Sequence, residues 1–390
     1  MKKDTVLIGA GRTPEENHGV VNPPVYHAST ITYPSLAALE ETSRKRFDTG
    51  VTYYGRYGTP THFSLEEAVA AVEGGDRAVL CGSGKAALVA ALTAFVKRHD
   101  HLLMVDTAYA PTRTFCDGFL ARFGVETTYY DPLVGAGIGE LIRPETKLVF
   151  VESPGSETFE VQDLPAIAKA AHTKGCIVMC DNTWASPLYC DPFALGADVS
   201  IQAATKYIAG HSDAMLGVIT TRAGQHRVVR AAAYDLGASA GPDDVYLALR
   251  GMRTLRVRLE RHWKTGLVLA EWLKARPEVM RVMHPALPDD PGHALWQRDF
   301  SGASGLFGLV LKPGPKEALA AMLDGMCLFA MGYSWGGYES LIVPTHPAAH
   351  RTASAWSDEG QSLRIHAGLE DVDDLIADLK ASLVRYDAAG

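Results

Sequence analysis

Short apolar runs at 78–80, 102–106, 147–151, 177–180 and 199–203 punctuate the first two thirds of the chain, each ending in a polar or glycine-containing segment. Runs this short, with little polar alternation, predict strands buried on both faces. Helical patterns lie between them. One is the alanine-rich stretch opened by Lys85, and another covers 165–174, entered through Asp163 and stopped by Gly175. Strands alternating with helices over 58–252 predict a large α/β domain with a mostly parallel sheet. A long amphipathic stretch reaching about Lys274 then leads into a smaller α+β C-terminal domain, 253–390. Strands are expected there near Met280, Leu306 and Leu363, with a final helix from Glu370. Residues 1–57 hold Pro23-Pro24, Pro34 and several glycines without sustained periodicity, and read as an extended arm laid on something else.

Two of these strand ends carry chemistry. The run 177–180 ends on Asp181, and the run 199–203 is followed by Ala204-Thr205-Lys206. Side by side and parallel, they would present a carboxylate and an amine at one sheet edge, where open α/β sheets bind ligands. Pyridoxal phosphate needs that pair: a lysine to hold its aldehyde as a Schiff base, and an acid that keeps its ring nitrogen protonated. Gly82-Ser83-Gly84, ahead of the helix at Lys85, is a turn of the kind that binds anions, because unpaired N–H groups and the helix dipole converge there. The same turn resembles the end of a nucleotide P-loop. The spacing excludes that, with Val79 at the first glycine position and Ala86 where Ser or Thr would hold magnesium.

Composition narrows the function classes. In a chain of 390 residues with 21% charged residues and net charge −8, no lysine or arginine block marks a nucleic-acid partner. Met1 to Thr5 turns polar before an apolar run develops, so neither a signal peptide nor a membrane helix is expected, and the cytoplasm is the expected location. The six cysteines are scattered, as reduced core residues would be. No metal site is expected: His346 and His350 have helical spacing, but Pro347 separates them.

The stretch Ser200-Ile201-Gln202-Ala203-Ala204-Thr205-Lys206-Tyr207, with Gly210-His211-Ser212-Asp213 after it, resembles the lysine segment of the Cys/Met-metabolism family of pyridoxal phosphate enzymes. Within that family it is most like the bacterial cystathionine β-lyases, and the likeness extends to Gly368-Leu369-Glu370-Asp371. It implies the fold type I architecture, an α/β large domain with a smaller C-terminal one, and β-elimination of cystathionine to homocysteine, pyruvate and ammonia. By the same likeness Lys206 is anchor and base, Tyr109 stacks on the cofactor ring, and Arg364 clamps the substrate α-carboxylate. Tyr54 and Arg56 reach the cofactor phosphate of a neighbouring subunit, which makes the enzyme a homo-oligomer, a tetramer built as a dimer of dimers. Tyr333, Ser334 and Trp335 line the substrate.

Four places differ from patterns common among relatives. Lys85 stands where relatives more often carry methionine or alanine, so its amide is expected to serve while its ammonium has no assigned role. Ala203 replaces a frequent serine, which shifts phosphate binding onto Thr205 and the glycine turn with Gly84. Ser156, and Tyr333-Ser334-Trp335-Gly336-Gly337, stand where γ-acting relatives have asparagine and Glu-Ser-Leu-Gly-Gly. The alternatives are a γ-acting lyase or synthase, a broad cysteine-S-conjugate β-lyase, and a silent scaffold on the same fold. For Arg364 alone, an internal ion pair is the competing reading.

Overall fold

The structure, a computed structural model, describes residues 1–357 and 359–390. The expected runs form strands β1 (Arg77–Cys81), β2 (His101–Val105), β4 (Thr146–Glu152), β5 (Ile177–Asp181) and β6 (Val199–Gln202), joined by β3 (Glu126–Tyr130) and β7 (Gly217–Thr221). Their order in the sheet is β1-β7-β6-β5-β4-β2-β3, and only β7 runs against its neighbours. Alternate residues feed two different cores. Val79 and Cys81 pack with the helices Gly84–Phe95 and Leu164–Thr173, whereas Ala78 and Leu80 pack with Pro60–Glu73 and Pro242–Met252. Covering both faces is what makes the strands read as unbroken apolar runs.

A second sheet, β10-β11-β9-β8, is antiparallel throughout, with β8 (Val279–Met283), β9 (Leu306–Leu311), β10 (Leu341–Pro344) and β11 (Gln361–His366). Leu363 and Ile365 face a core shared with the helices Leu255–Lys274, Lys316–Asp324 and Val372–Ala389. The two-residue period of a strand then turns Arg364 to the other face.

The segment before residue 58 is not extended throughout. The helix Lys3–Gly9 buries Leu7, and Arg253 donates to the carbonyls of Leu7 and Ala10 at 2.7 and 2.9 Å. The helix Leu36–Arg44, by contrast, buries none of its residues.

Asp106, just past β2, staples the loop at 351–354 to the large sheet. Its carboxylate accepts from the backbone N–H groups of Thr352, Ala353 and Ser354 and from Arg113 Nη1 at 2.9 Å. Its side chain is fully buried, and that of Arg113 is 7% exposed. Burial alone would raise its pKa, but the bonds from Thr352, Arg113, Ala353 and Ser354 outweigh burial and hold the carboxyl below its ordinary value. A depressed folded pKa gives stability that is present above the unfolded value and lost as pH falls through the folded one. Asp106→Ala leaves Arg113 buried without its carboxylate and should cost about 3 to 5 kcal/mol in urea unfolding at neutral pH. The gap between wild type and variant should close in acid; a gap that does not depend on pH would contradict the staple.

Candidate active site

Asp181 and Ile201 are paired in parallel register, so β5 and β6 leave the sheet at one edge, as expected. Thr183 ties the two ends together: its hydroxyl donates to Asp181 Oδ1 at 2.5 Å and accepts from the Ala203 N–H at 3.0 Å. The Thr183 N–H donates to the same oxygen at 3.0 Å. Oδ2 of Asp181 takes no hydrogen bond from any described residue. A cavity of about 380 Å³ opens above these strand ends, and ten of the twelve candidate residues line it.

Desolvation dominates its electrostatics. Burial pushes the Asp181 carboxyl up, as does Glu73, against the Thr183 bonds and Lys206. Burial lowers Lys206 to about 8, the Arg364 guanidinium adds to that, and Asp181 opposes it. Lys206 Nζ lies 2.5 Å from Ser334 Oγ and 5.5 Å from the Trp335 ring centroid. Ser334 adopts φ +83°, unusual for a residue with a side chain, and its carbonyl accepts from Arg364 Nη2 at 3.3 Å. One strained serine therefore touches both cations. Two residues on, Gly336 has φ +88°, and a Cβ there would lie 2.9 Å from the Lys206 carbonyl carbon. The loop is pressed onto the lysine's own backbone.

Arg364 has no carboxylate within ion-pair distance among the described residues, so the internal-pair reading does not describe it. Burial lowers its pKa, opposed by Glu157, Tyr109 and Tyr333 nearby. A buried guanidinium in that state calls for an anion. Tyr109 is 43% exposed, and its backbone N–H donates to Glu152 Oε2 at 2.7 Å. Glu152, paired with Asp181 in register, is pushed well above the usual carboxyl range by burial and then by Asp181. Sequence reasoning did not single it out. The signal was its place at the end of β4, beside the strand that ends on Asp181.

At the other end of the cavity Ser83 caps the helix Gly84–Phe95, its hydroxyl accepting from the Ala86 N–H at 3.1 Å. The N–H groups of Gly84 and Lys85 donate to no described residue. A Cβ on Gly84 would stand 2.6 Å from that of Ala203, so only glycine keeps this anion site open. Thr205 Oγ1 accepts from the Leu216 N–H at 2.9 Å. Tyr333 reaches the rim and is 92% exposed.

Tyr54 and Arg56 are the two candidates not brought to the cavity. Arg56 Nη1 donates to the Tyr234 carbonyl at 3.0 Å, and Tyr54 is 42% exposed. The residues that do line the cavity fit pyridoxal phosphate. They offer a carboxylate oxygen without a partner, a desolvated amine, two undonated N–H groups at a helix start and an aromatic face.

Residues 4–384 match the family described as Cys/Met metabolism PLP-dependent enzyme. The cystathionine β-lyase MetC of Escherichia coli (strain K12) is 47% identical, with 98% of each chain covered. The cystathionine β-lyase of Salmonella typhimurium is 46% identical over 98% of each chain. The crystal structure of metB from Corynebacterium glutamicum superposes with a TM-score of 0.90 at 31% identity, covering 98% of both chains, and shares the fold type I architecture.

The depressed Lys206 pKa is measurable without cofactor. Acetylation of Lys206 in cofactor-free protein, followed by mass spectrometry, should accelerate with pH through about 8 and then level off. Arg364→Leu removes a charge that disfavours the ammonium and should move the inflection upward. An inflection near about 10.4, the ordinary lysine value, would contradict the desolvated site.

Proposed function

Because the chain belongs to the Cys/Met metabolism family of pyridoxal phosphate-dependent enzymes, we propose that it cleaves cystathionine by β-elimination to homocysteine, pyruvate and ammonia. The observation that carries this is the full-length likeness to bacterial cystathionine β-lyases. When bound, pyridoxal phosphate supplies an aldehyde that captures the substrate amino group and a protonated ring that withdraws electrons from Cα.

The chain's own residues then divide the work. The unpaired Arg364 guanidinium binds the substrate α-carboxylate through parallel N–H bonds. Lys206, lowered by burial to about 8, is neutral amine in a much larger fraction near physiological pH than an ordinary lysine, and removes the Cα proton at Nζ. Ser334 Oγ, 2.5 Å from that nitrogen, steadies it between turns of its side chain. Asp181, with Oδ1 held by Thr183, offers Oδ2 to the ring nitrogen. Tyr109 lines the cavity and offers its ring there. A second cavity, of about 230 Å³, meets the first along Tyr109, Ser156, Tyr333 and Arg364 and gives room for the sulfur-bearing half that leaves. A neutral tyrosine at 333, where γ-acting relatives carry glutamate, favours breaking the bond at Cβ.

We further propose a homo-oligomer, a tetramer as a dimer of dimers, with the Tyr54 and Arg56 of one copy completing the phosphate site of another. Support comes from their distance from the cavity of their own chain and from the unburied helix Leu36–Arg44. The cytosol is the proposed location. All six cysteines are free thiols, as a reducing compartment keeps them.

Incubation with cystathionine should yield pyruvate and homocysteine as main products. Should 2-oxobutyrate dominate instead, the γ-acting alternative holds. Lys206→Ala should abolish multiple turnover. Mixing inactive Arg56→Ala and Lys206→Ala proteins should restore part of the activity, through hybrid sites that escape both lesions. No recovery after demonstrated subunit exchange would rule out a shared site.

A further inference from the structure

The side chain of Lys85 is the cavity's unassigned cation. It leaves the start of the helix Gly84–Phe95 and runs toward the segment that carries Tyr109. Its Nζ donates to the Pro111 carbonyl and lies 5.3 Å from the Phe115 ring centroid. Pro111 is in the first turn of the helix Ala110–Thr114, whose N-cap is Tyr109. Phe115 opens the π-helical turn Phe115–Leu120 that continues it. One ammonium therefore touches both ends of this short helix. A lysine loses rotamer freedom when it is ordered, and half-burial adds a desolvation cost, so holding it there needs a specific gain. The carbonyl and the ring face are both good partners for a cation. No carboxylate lies within ion-pair distance of Lys85 among the described residues.

The other side of Tyr109 is already fixed by the bond from its amide to Glu152, while the residue as a whole is 43% exposed. A residue so exposed on a short helix cap has little packing of its own to choose a direction. We propose that Lys85 is a positioning residue for Tyr109. It ties the first turn of the tyrosine's helix to the phosphate-binding turn, so that Tyr109 is braced by Glu152 at its amide and by Lys85 through Pro111. This rests on the cavity being the pyridoxal phosphate site. The ammonium acts through the backbone of residue 111 and not on the phosphate, toward which only the Lys85 amide is free.

The test reconstitutes cofactor-free wild type, Lys85→Met, Lys85→Arg, Tyr109→Leu and the double variant with pyridoxal phosphate and, separately, with unphosphorylated pyridoxal. The readouts are the dissociation constants, the induced circular dichroism of the bound chromophore and the melting temperature of the cofactor-free proteins. Lys85→Met should weaken both aldehydes by about tenfold, the scale of one charged hydrogen bond, and lower the induced dichroism. Lys85→Arg should recover most of both, and Lys85→Met should add nothing in the Tyr109→Leu background. The proposal is overturned if Lys85→Met leaves affinity and dichroism unchanged. It is equally overturned if the loss is confined to pyridoxal phosphate, which would make Lys85 a phosphate ligand. A loss that tracks the melting temperature and persists undiminished without Tyr109 would reduce Lys85 to packing. Wild-type protein that takes up neither aldehyde would overturn the cofactor reading itself, an outcome distinct from a silent Lys85→Met.

Discussion

Desolvation of charge where β4, β5 and β6 end is the constraint the rest of the site answers to. Glu152 and Asp181 sit side by side on neighbouring strands, and Lys206 and Arg364 face the same cavity. Burial drives each of the four toward its neutral form. Left to burial alone, the cavity would lose the ionised acid that its chemistry requires, while the guanidinium, too basic to give up its proton, stays charged. Thr183 resists that at Asp181 with two hydrogen bonds, which favour the ionised carboxyl. Lys206 yields far enough, to about 8, that a useful fraction is neutral amine near physiological pH, which suits a base.

A third carboxyl supports these ends from below. Glu73, the last residue of the helix Pro60–Glu73, is fully buried, and its Oε1 accepts from Asn182 Nδ2, Ser200 Oγ and Gln202 Nε2 at 3.0, 2.6 and 2.6 Å. It thereby fixes β6 against the residue that follows Asp181. Ser200 and Gln202 lie two apart on one face of β6, with Val199 and Ile201 on the other in the core. This was within reach of the sequence, since two buried polar residues at strand spacing demand a buried polar partner. What the sequence does not say is which acid, because the partner lies well over a hundred residues away.

Much of the fold was legible because the strands are covered on both faces and announce themselves as apolar runs. β3 is missed because, at the sheet's edge, Glu126 is exposed and Thr127, Thr128 and Tyr129 are only partly buried. β7 is hidden by its closing threonines and by a reversed direction that no local pattern encodes. Asp181, Lys206 and the helix start at Gly84 were legible as chemistry because each depends on a local arrangement. Glu152, the Ser334 contact to Lys206 and the Lys85 contact to Pro111 were not. Each depends on how separate segments meet in three dimensions.

The phosphate end shows how far one chain can go alone. Ala203 and Gly84 stand so close that neither position tolerates much more bulk, which fixes the width of the anion site. The expectation that Thr205 would take over from the frequent serine at 203 meets a difficulty. Its hydroxyl already accepts from the Leu216 N–H and lies 3.2 Å from the Leu216 carbonyl, so turning its proton toward a phosphate would give up an internal bond. Lys85, the cation at the start of the same helix, is directed at Pro111. At this end of the cavity, among the described residues, a single chain thus supplies N–H groups and a helix dipole, while its one lining guanidinium, Arg364, bonds to the Ser334 carbonyl. A doubly charged phosphate in a half-buried cleft calls for a full positive charge as well as dipoles. On the proposed reading that charge is Arg56 of a second copy, and cofactor affinity and assembly are then coupled by linkage: whatever tightens one must tighten the other.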